Sequence, residues 1–313
     1  ELKGKKQKGP DISILIISYN RPDDLLPLLQ DIHRFHEKET LLKEVIIINN
    51  NSSVSYGEVE HFISTTPDVN WVYHNSPENL GVSRGRNKAI QLSTGNLLML
   101  LDDDVLIPDP AALQKVADFY TSAFALEHKV AALTPLILYA STNEIQVTAF
   151  PHKKFNKYHT LPRFLTSYFT GAAHIIDRSV LNVTGLLPEN FFYGMEEYDL
   201  SYRIMIAGHG LAFDNALVVL HKESPTGRLP QREKLFMMWQ NKSKVARRYL
   251  PAFYFYSTFI LWSFHYLAKS RMHLKGWLKG LSRFNSIRTE EKRQPLPPAA
   301  IKYLKKTEAR LLY

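Results

Sequence analysis

The feature that most constrains the fold of this sequence is a set of continuous apolar runs. They are rich in leucine and β-branched residues, and polar residues do not alternate through them. Runs of this kind are typical of parallel strands that are covered on both faces. The four runs are ISILII (12–17), EVIII (44–48), VNWVY (69–73) and NLLMLL (96–101).

Stretches with apolar residues at helical spacing follow or separate these runs. They cover residues 25–35, 82–95 and 111–126. Alternation of strands and helices predicts an α/β fold with a doubly wound, Rossmann-like nucleotide-binding sheet. Further along, the sequence predicts strands at 129–139, 144–150, 167–176 and 217–221, and a helix at 195–208.

The last part of the chain, residues 231–313, is predicted to be a helical, basic and aromatic extension. The chain carries a net charge of +9, yet residues 242–313 hold 16 Lys and Arg against 3 Asp and Glu, so the remainder is net acidic. This asymmetry predicts an anionic partner for the extension. Because no nucleic-acid-binding motif surrounds its aromatics, we expect an anionic membrane surface and no nucleic acid.

Residues 251–268 contain no Lys, Arg, Asp or Glu. A membrane span needs about 20 apolar residues, so this segment is short for one. Three interpretations remain open: a helix lying in the membrane interface, a full span, or a helix packed in the core.

The sequence contains no cysteine, which excludes disulfides, thiolate metal sites and a cysteine nucleophile. No apolar segment follows the basic start, so residues 1–10 are expected to form a disordered lead-in rather than a signal peptide. We therefore expect a cytoplasmic protein, peripheral at the inner face of the cell membrane.

Three consecutive aspartates, Asp102, Asp103 and Asp104, follow the fourth apolar run. In open α/β sheets, ligands bind at the carboxyl ends of the strands. Asp102 and Asp104 should face the same way, because side chains alternate along an extended segment. Carboxylate oxygens suit Mg²⁺ or Mn²⁺, and a nucleotide diphosphate could share such an ion. A solvated turn is the alternative interpretation of an isolated acidic triplet.

Polar residues also end the other predicted strands. Glycines there allow close backbone approach, and an arginine near a helix start can counter phosphate. The candidate nucleotide-sugar ligands in these segments are Ser18, Asn20, Arg21, Asn49, Asn51, Asn79, Gly81 and Arg86.

Taken in order, these segments resemble the family 2 glycosyltransferases, which have the GT-A fold. The resemblance rests on "SILIISYNRPDDL", "EVIIINNNSS", "ENLGVSRGRNKAI", "LMLLDDDVLIP", "FTGAAHIIDRSVLNVTG", "FFYGMEEYDLSYRIMIAGHG" and "VVLHKES". It implies a GT-A domain over 11–230, with a nucleotide-sugar half at about 11–108 and an acceptor half at about 109–230. The bacterial members that build surface glycans, including rhamnosyltransferase-like ones, are the most similar group.

The resemblance also implies roles for individual residues. The triplet corresponds to the family's DxD motif, with Asp102 and Asp103 toward the donor and Asp104 on Mn²⁺ or Mg²⁺. His221 corresponds to a histidine that many relatives bring to the metal. Glu197 takes the position of the catalytic base, and Glu196 is the second candidate. Asp199 is expected to bind the acceptor or stabilise the helix.

The implied reaction is an inverting, metal-dependent transfer from a nucleotide-diphosphate sugar to a hydroxyl of a glycan or polyprenyl-linked glycan. Two positions depart from the family pattern. The base is commonly Asp where this chain has Glu197, and the strand-2 position is commonly Asp where this chain has Asn49. The second difference weakens a preference for uridine over thymidine or guanosine donors.

Two other functions stay open from the sequence. A nucleotidyltransferase shares a similar core, but such enzymes usually begin with a glycine-rich loop, and "ISYNRPDD" contains no glycine. The second alternative is a non-enzymatic polyanion-binding protein that uses the basic extension.

Overall fold

The computed structural model describes residues 10–309 and residue 311. Except for Pro10, the lead-in predicted at 1–10 lies outside the described residues. The strands are β1 (Ile12–Ser18), β2 (Leu42–Asn49), β3 (Trp71–Asn75), β4 (Leu97–Asp102), β5 (Val105–Leu106), β6 (Val130–Tyr139), β7 (Arg163–Thr166), β8 (Ala173–Asp177) and β9 (Gly210–His221).

The helices flank the strands in the first two thirds of the chain and then continue alone. They are α1 (Pro22–His33), α2 (Lys38–Leu41), α3 (Gly57–Thr65), α4 (Gly81–Leu92), α5 (Ala112–Thr121), α6 (Ala123–Glu127), α7 (Phe155–Tyr158), α8 (Arg178–Thr184), α9 (Glu196–Ile206), α10 (Gln231–Tyr249), α11 (Ala252–Lys269), α12 (Leu274–Ser282), α13 (Phe284–Glu290) and α14 (Pro298–Lys306).

The nine strands form one sheet in the order β3-β2-β1-β4-β8-β6-β9-β5, with β7 paired to β9. The first four strands of this order are parallel, as the apolar runs predict. Strand β8 is antiparallel to both β4 and β6, which makes the second half mixed. In the parallel half, Ser18 lies opposite Asn49 and Ile17 opposite Asp102, so the polar ends of β1, β2 and β4 meet at one edge.

Each face of the sheet is covered by a separate hydrophobic cluster. Ile14 and Ile16 of β1 pack with α1 and α5 on one face. Leu15, between them in the sequence, faces the opposite cluster, which contains Trp239 of α10 and Phe255 of α11. The C-terminal extension therefore supplies part of the core of the sheet domain, and burial on both faces explains the continuous apolar runs.

Three predicted elements differ from the structure. The strand predicted at 144–150 is wrong: only Ile145 forms an isolated bridge, and Val147–Ala149 is a 3-10 turn. Only residues 173–176 of the predicted strand 167–176 form a strand, as part of β8, because residues 167–172 form the loop between β7 and β8. The predicted helix 111–126 breaks at Ser122, whose backbone is extended and whose hydroxyl caps α6 by accepting a hydrogen bond from Ala125.

No helix within residues 10–309 combines the length and apolar character that crossing a membrane requires.

Candidate active site

The acidic triplet lies at the carboxyl end of β4, where it continues into the turn to β5. Asp102 is partly exposed, while Asp103 and Asp104 are buried. Strand β5 pairs with the end of β9, with Val105 opposite His221. As a result, Asp102, Asp104 and His221 each offer a ligand atom, and these atoms all lie within 4.8 Å of one another. The expected juxtaposition of Asp102, Asp104 and His221 is present.

The His221 ring is held by a side chain that the sequence does not single out. Its Nδ1 lies 2.8 Å from Gln146 Oε1. The Gln146 amide is oriented in turn, because its Nε2 donates to Glu223 Oε1 over 2.9 Å. In the neutral ring, Nδ1 therefore carries the proton and Nε2 presents its lone pair. Histidine ligands of metals are commonly fixed in this way by a partner on the other ring nitrogen.

The His221 lone pair faces Asp104 Oδ1 at 3.2 Å from Nε2. That oxygen is buried and accepts no hydrogen bond of good geometry, whereas Oδ2 accepts one from the Ser224 amide over 2.9 Å. Two acceptors that face each other need a cation between them, either a proton or a metal ion. Burial lowers the pKa of His221, but the Asp104 carboxylate outweighs this and raises it overall. The arrangement fits a hard divalent cation bound by carboxylate oxygen and imidazole nitrogen.

We expect Gln146→Leu to weaken the binding of Mn²⁺ by about 10–100-fold, the usual effect of removing a partner that orients a metal ligand. The ring of His221 would lose the acceptor that fixes its tautomer. Calorimetric titration with Mn²⁺ measures this change, and Gln114→Leu, at an exposed helix position outside the site, is the matched control. Equal Mn²⁺ affinity in both variants would show that Gln146 does not support a cation at the candidate metal site.

Asp103, the middle residue of the triplet, points toward the end of β1. Its Oδ1 lies 2.8 Å from Arg21 Nη1, and its Oδ2 accepts a hydrogen bond from the Tyr19 amide. Burial raises the pKa of Asp103 to about 7, although Arg21 opposes the shift. Arg21 also lies 3.3 Å from Asp104 Oδ2. Arg21 therefore balances the charge of the triplet in this structure.

A cavity of about 360 Å³ opens beside the triplet. The loop after β9 closes one side of it, because Gly227 lies so near Tyr19 that a Cβ would approach the Tyr19 carbonyl to 2.4 Å. Arg228, from the same loop, and Lys234, from α10, bring positive charge to the cavity wall. Both lie outside the motifs described above. Their only signal in the sequence is that they are basic residues in the segment that follows "VVLHKES".

Asparagine side chains form another part of the cavity wall. Asn79 and Gly81 line it, together with Asn50, which the sequence analysis did not select. Asn50 donates to Asn79 Oδ1 and accepts from the Leu80 amide. Gly81 has φ of +69°, and a Cβ there would collide with Phe192. The positive φ and the contact with Phe192 explain why glycine occupies this position.

Four predicted donor ligands do not line the cavity, and three of them contact protein groups instead. Ser18 is fully buried against the Tyr56 hydroxyl. Asn20 accepts a hydrogen bond from the Ser53 amide. Asn49 donates to the Tyr73 hydroxyl and accepts from the Ser52 amide. The fourth, Asn51, is exposed with a positive φ. These contacts fix the loops after β1 and β2.

Arg86, on α4, connects the triplet to the acidic residues of α9. Its Nη2 lies 3.0 Å from Asp102 Oδ1 and donates to the Gly171 carbonyl over 2.8 Å. Its Nη1 lies 3.4 Å from both Glu196 Oε1 and Glu197 Oε1. One buried guanidinium thus holds carboxylates from β4 and from α9, which are far apart in the sequence.

Glu196 and Glu197 occupy the first turn of α9, but their surroundings differ. The Glu196 side chain is 2 % exposed, and its Oε2 has no hydrogen-bond partner. Burial and the adjacent Glu197 raise the pKa of Glu196 well above its usual range, although Arg86 opposes the shift. The Glu197 side chain is 14 % exposed. Of the pair, Glu197 is therefore the carboxylate with access to solvent.

Gly171 leaves the space that Glu197 occupies. A Cβ at this position would lie 2.4 Å from Glu197 Oε1. We expect Gly171→Ala to displace the Glu197 carboxylate and to lower any turnover that depends on it by at least about tenfold, since misplacement of a reacting group by about 1 Å is costly. The comparison is with Gly57→Ala, whose Cβ would meet only the Ser55 hydroxyl, at 3.4 Å. Turnover in Gly171→Ala equal to that of the unchanged chain would show that Gly171 does not position a carboxylate on which turnover depends.

Asp199 follows Glu197 by two residues on α9 and, like Glu196 and Glu197, is not among the residues that line the cavity. It is buried, its Oδ2 pairs with Arg203, and its Oδ1 accepts from Arg248 and from the Tyr249 hydroxyl over 2.7 and 2.8 Å. These contacts attach α9 to the end of α10. They favour the structural alternative for Asp199 over acceptor binding.

Comparison with known proteins is consistent with this geometry. The model of the family described as "Glycosyl transferase family 2" matches residues 13–182, more than half of the chain. An uncharacterized protein of Haemophilus influenzae is 32 % identical over 179 residues, which are 56 % of this chain and 92 % of that protein. A poly-beta-1,6-N-acetyl-D-glucosamine synthase of Staphylococcus epidermidis is 29 % identical over 122 residues, 38 % of this chain and 27 % of the synthase.

Two solved structures share the fold at low sequence identity. A mannosyltransferase from Pyrobaculum calidifontis, in complex with GDP-Man and Mn²⁺, has a TM-score of 0.59 at 15 % identity and covers 96 % of this chain and 81 % of its own. GalNAc-T7 with UDP, GalNAc and Mn²⁺ has a TM-score of 0.63 at 14 % identity and covers 96 % of this chain and 57 % of its own. The mixed sheet and these neighbours identify the GT-A fold. The chain is an enzyme that belongs to the family 2 glycosyltransferases.

Proposed function

We propose that this glycosyltransferase moves a sugar from a nucleotide-diphosphate sugar to an acceptor hydroxyl with inversion at the anomeric carbon. The observation that carries the proposal is the bridge made by Arg86. Its guanidinium contacts Asp102 on the triplet side and Glu197 on the α9 side. A donor at the triplet would therefore lie near Glu197, a solvent-accessible carboxylate that contacts the same arginine as Asp102.

We assign Asp104 and His221 to a divalent cation, Mn²⁺ or Mg²⁺, and Asp102 and Asp103 to the donor. The buried Asp104 Oδ1, which accepts no hydrogen bond of good geometry, and the oriented His221 ring support this assignment. Both structural neighbours described above were solved with Mn²⁺. A cation bound here would neutralise the charge that develops on the departing diphosphate. Arg228 and Lys234 would add fixed positive charge on the same side of the cavity.

Glu197 is assigned as the base. The acceptor oxygen forms a bond to the anomeric carbon while the bond from that carbon to the diphosphate oxygen breaks. The proton of the acceptor hydroxyl passes to Glu197, and the electron pair of the broken bond leaves with the nucleoside diphosphate. Arg86 contacts Glu197, and we assign the role to Glu197 rather than Glu196 because the Glu196 side chain is buried while that of Glu197 is 14 % exposed.

For the nucleoside we assign Asn50, Asn79 and Gly81, which line the cavity, as direct contacts. The predicted ligands Ser18, Asn20 and Asn49 are assigned to supporting the loops beside this wall, and Asn51 is assigned no contact. Because one neighbour carries a guanosine nucleotide and the other a uridine nucleotide, we do not assign the nucleobase of the donor that this chain binds.

The proposed acceptor is a glycan, or a glycan on a polyprenyl carrier, in the synthesis of a surface polysaccharide. The similarity to the polysaccharide synthase of Staphylococcus epidermidis supports a surface glycan as product. We further propose that residues 11–108 bind the donor, that residues 109–230 bind the acceptor, and that the enzyme works at the cytoplasmic face of the cell membrane.

Thermal stabilisation by nucleotide sugars tests the donor assignment. A donor that binds the folded state at 100 times its Kd stabilises it by about 2.7 kcal/mol. We expect one nucleotide sugar, among UDP-, dTDP- and GDP-linked candidates, to raise Tm only when Mn²⁺ or Mg²⁺ is present. Stabilisation that is equal with and without the cation would contradict the metal assignment, and stabilisation by no nucleotide sugar would contradict the donor class.

A further inference from the structure

Helix α11 is apolar on both of its sides. One side packs in the core through Phe255, Phe259 and Tyr266, which are each less than 5 % exposed. The other side carries large apolar residues that face outward. They are Phe253, Tyr256, Ile260, Leu261 and Phe264, exposed by 67, 42, 52, 55 and 61 %. A helix that is apolar all round is expected to be covered on all sides, so the outward stripe of α11 lacks the cover that its composition predicts.

Helix α12 extends the exposed apolar area. It packs inward through two glycines: a Cβ at Gly276 would lie 2.0 Å from the Tyr266 hydroxyl, and one at Gly280 would lie 1.9 Å from the Trp239 ring. This close approach leaves Leu274 and Leu278 on the outside, exposed by 56 and 59 %. The connecting turn presents Met272, which is 63 % exposed. We call these eight residues, five on α11, two on α12 and Met272, the α11–α12 apolar surface.

Positive charge surrounds this surface. Lys269, Arg271 and Lys275 are exposed around the α11–α12 turn, and none of the ion pairs among the described residues involves them. Residues 234–289 contain eleven Lys and Arg and no Asp or Glu. Large exposed apolar side chains with a cationic surround match the pattern of helices that lie in a membrane interface.

We propose that the α11–α12 apolar surface inserts into the interface of an anionic lipid bilayer, with Lys269, Arg271 and Lys275 on the lipid headgroups. The charge decides between this occupant and a second copy of the chain. A symmetric dimer would bring two identical cationic surrounds together with no Asp or Glu from residues 234–289 to offset them, whereas an anionic leaflet neutralises them. Helix α11 therefore packs against the core on one side and lies in the membrane interface on the other.

The proposal goes beyond the sugar-transfer reaction and does not depend on it. Because the α11 stripe is separate from the residues that line the donor cavity, lipid binding is measured without donor or acceptor. Failure of the lipid measurement would leave the proposed reaction intact, and failure of the donor measurement would leave the lipid surface intact.

Co-sedimentation of the full chain with vesicles tests the proposal. We expect binding to phosphatidylcholine vesicles that contain about one third phosphatidylglycerol, and at least about tenfold weaker binding to pure phosphatidylcholine. Ile260→Ser with Phe264→Ser should weaken binding to the anionic vesicles by at least about tenfold through loss of buried apolar area. Lys269→Gln with Lys275→Gln should weaken it by about tenfold at low salt, and less at high salt.

Matched controls use exposed residues elsewhere. Leu126→Ser with Val183→Ser removes two apolar side chains that are 66 and 73 % exposed, and Lys43→Gln with Lys129→Gln removes two exposed charges. Both controls should bind vesicles like the unchanged chain. The proposal is overturned if the α11 variants bind anionic vesicles as well as the controls do. It is also overturned if light scattering without lipid shows a dimer that Ile260→Ser with Phe264→Ser converts to monomer.

Discussion

Glu197→Gln is expected to reduce sugar transfer by about 10²–10⁴-fold, the usual contribution of a positioned general base. The amide cannot accept the proton of the acceptor hydroxyl, yet it has nearly the same shape and keeps an oxygen for Arg86. Donor binding, measured by the donor-induced shift in Tm, should stay nearly unchanged. The measurement is kcat at saturating donor with the cation present.

Glu196→Gln is the matched control for this variant, because the two residues are adjacent and contact the same guanidinium. Burial raises the pKa of Glu196 well above its usual range, so ionising Glu196 costs more in the folded chain than in the unfolded chain. Near-normal turnover is expected, because the Glu196 side chain is only 2 % exposed. Because the unfolded chain ionises Glu196 above about pH 4.3, glutamine should remove a cost of folding that grows as pH rises. If Glu196→Gln abolishes transfer while Glu197→Gln retains it, the two assignments must be exchanged.

Asp104→Asn is expected to lower turnover by about 10²–10³-fold or more, since it removes an anionic ligand from the proposed cation that stabilises the departing diphosphate. The asparagine oxygen can still accept the hydrogen bond that Ser224 donates to Asp104 Oδ2, so the turn should keep its shape. Affinity for Mn²⁺ should fall in parallel. Calorimetric titration of the cation and turnover as a function of its concentration measure the two effects.

Asp109→Asn is the control for Asp104→Asn. Asp109 pairs with Lys115 at a distance from the cavity, so its loss should change neither cation affinity nor turnover. Turnover in Asp104→Asn that keeps both the original rate and the original dependence on Mn²⁺ would remove Asp104 from the site.

The fold of the first hundred residues could be predicted because local patterns report it directly. The four apolar runs became β1 to β4, since a strand buried on both faces tolerates few polar residues. The segment 144–150 shows where such patterns fail. The pattern of "EIQVTAF" indicates a strand. In the structure, the Gln146 side chain is hydrogen-bonded to His221 and Glu223, and the chain forms a 3-10 turn at Val147–Ala149. Tertiary contacts overrode the local preference there.

The same distinction applies to the extension. Its helical, basic and aromatic character follows from composition. The same composition is compatible with a helix packed in the core and with a helix at a membrane interface. Only packing shows that Phe255 and Phe259 are buried while Ile260 and Phe264 are exposed on the same helix.

By itself, the sequence determined the α/β alternation and the position of the three aspartates after a buried strand. Such charges cannot enter the sheet and must lie at its edge. The tertiary structure alone decided which carboxylates share Arg86 and which side chain orients His221. These contacts join residues 16, 75 and 111 positions apart. Strand pairing and helix packing bring them together, and no local pattern in the chain records those pairings.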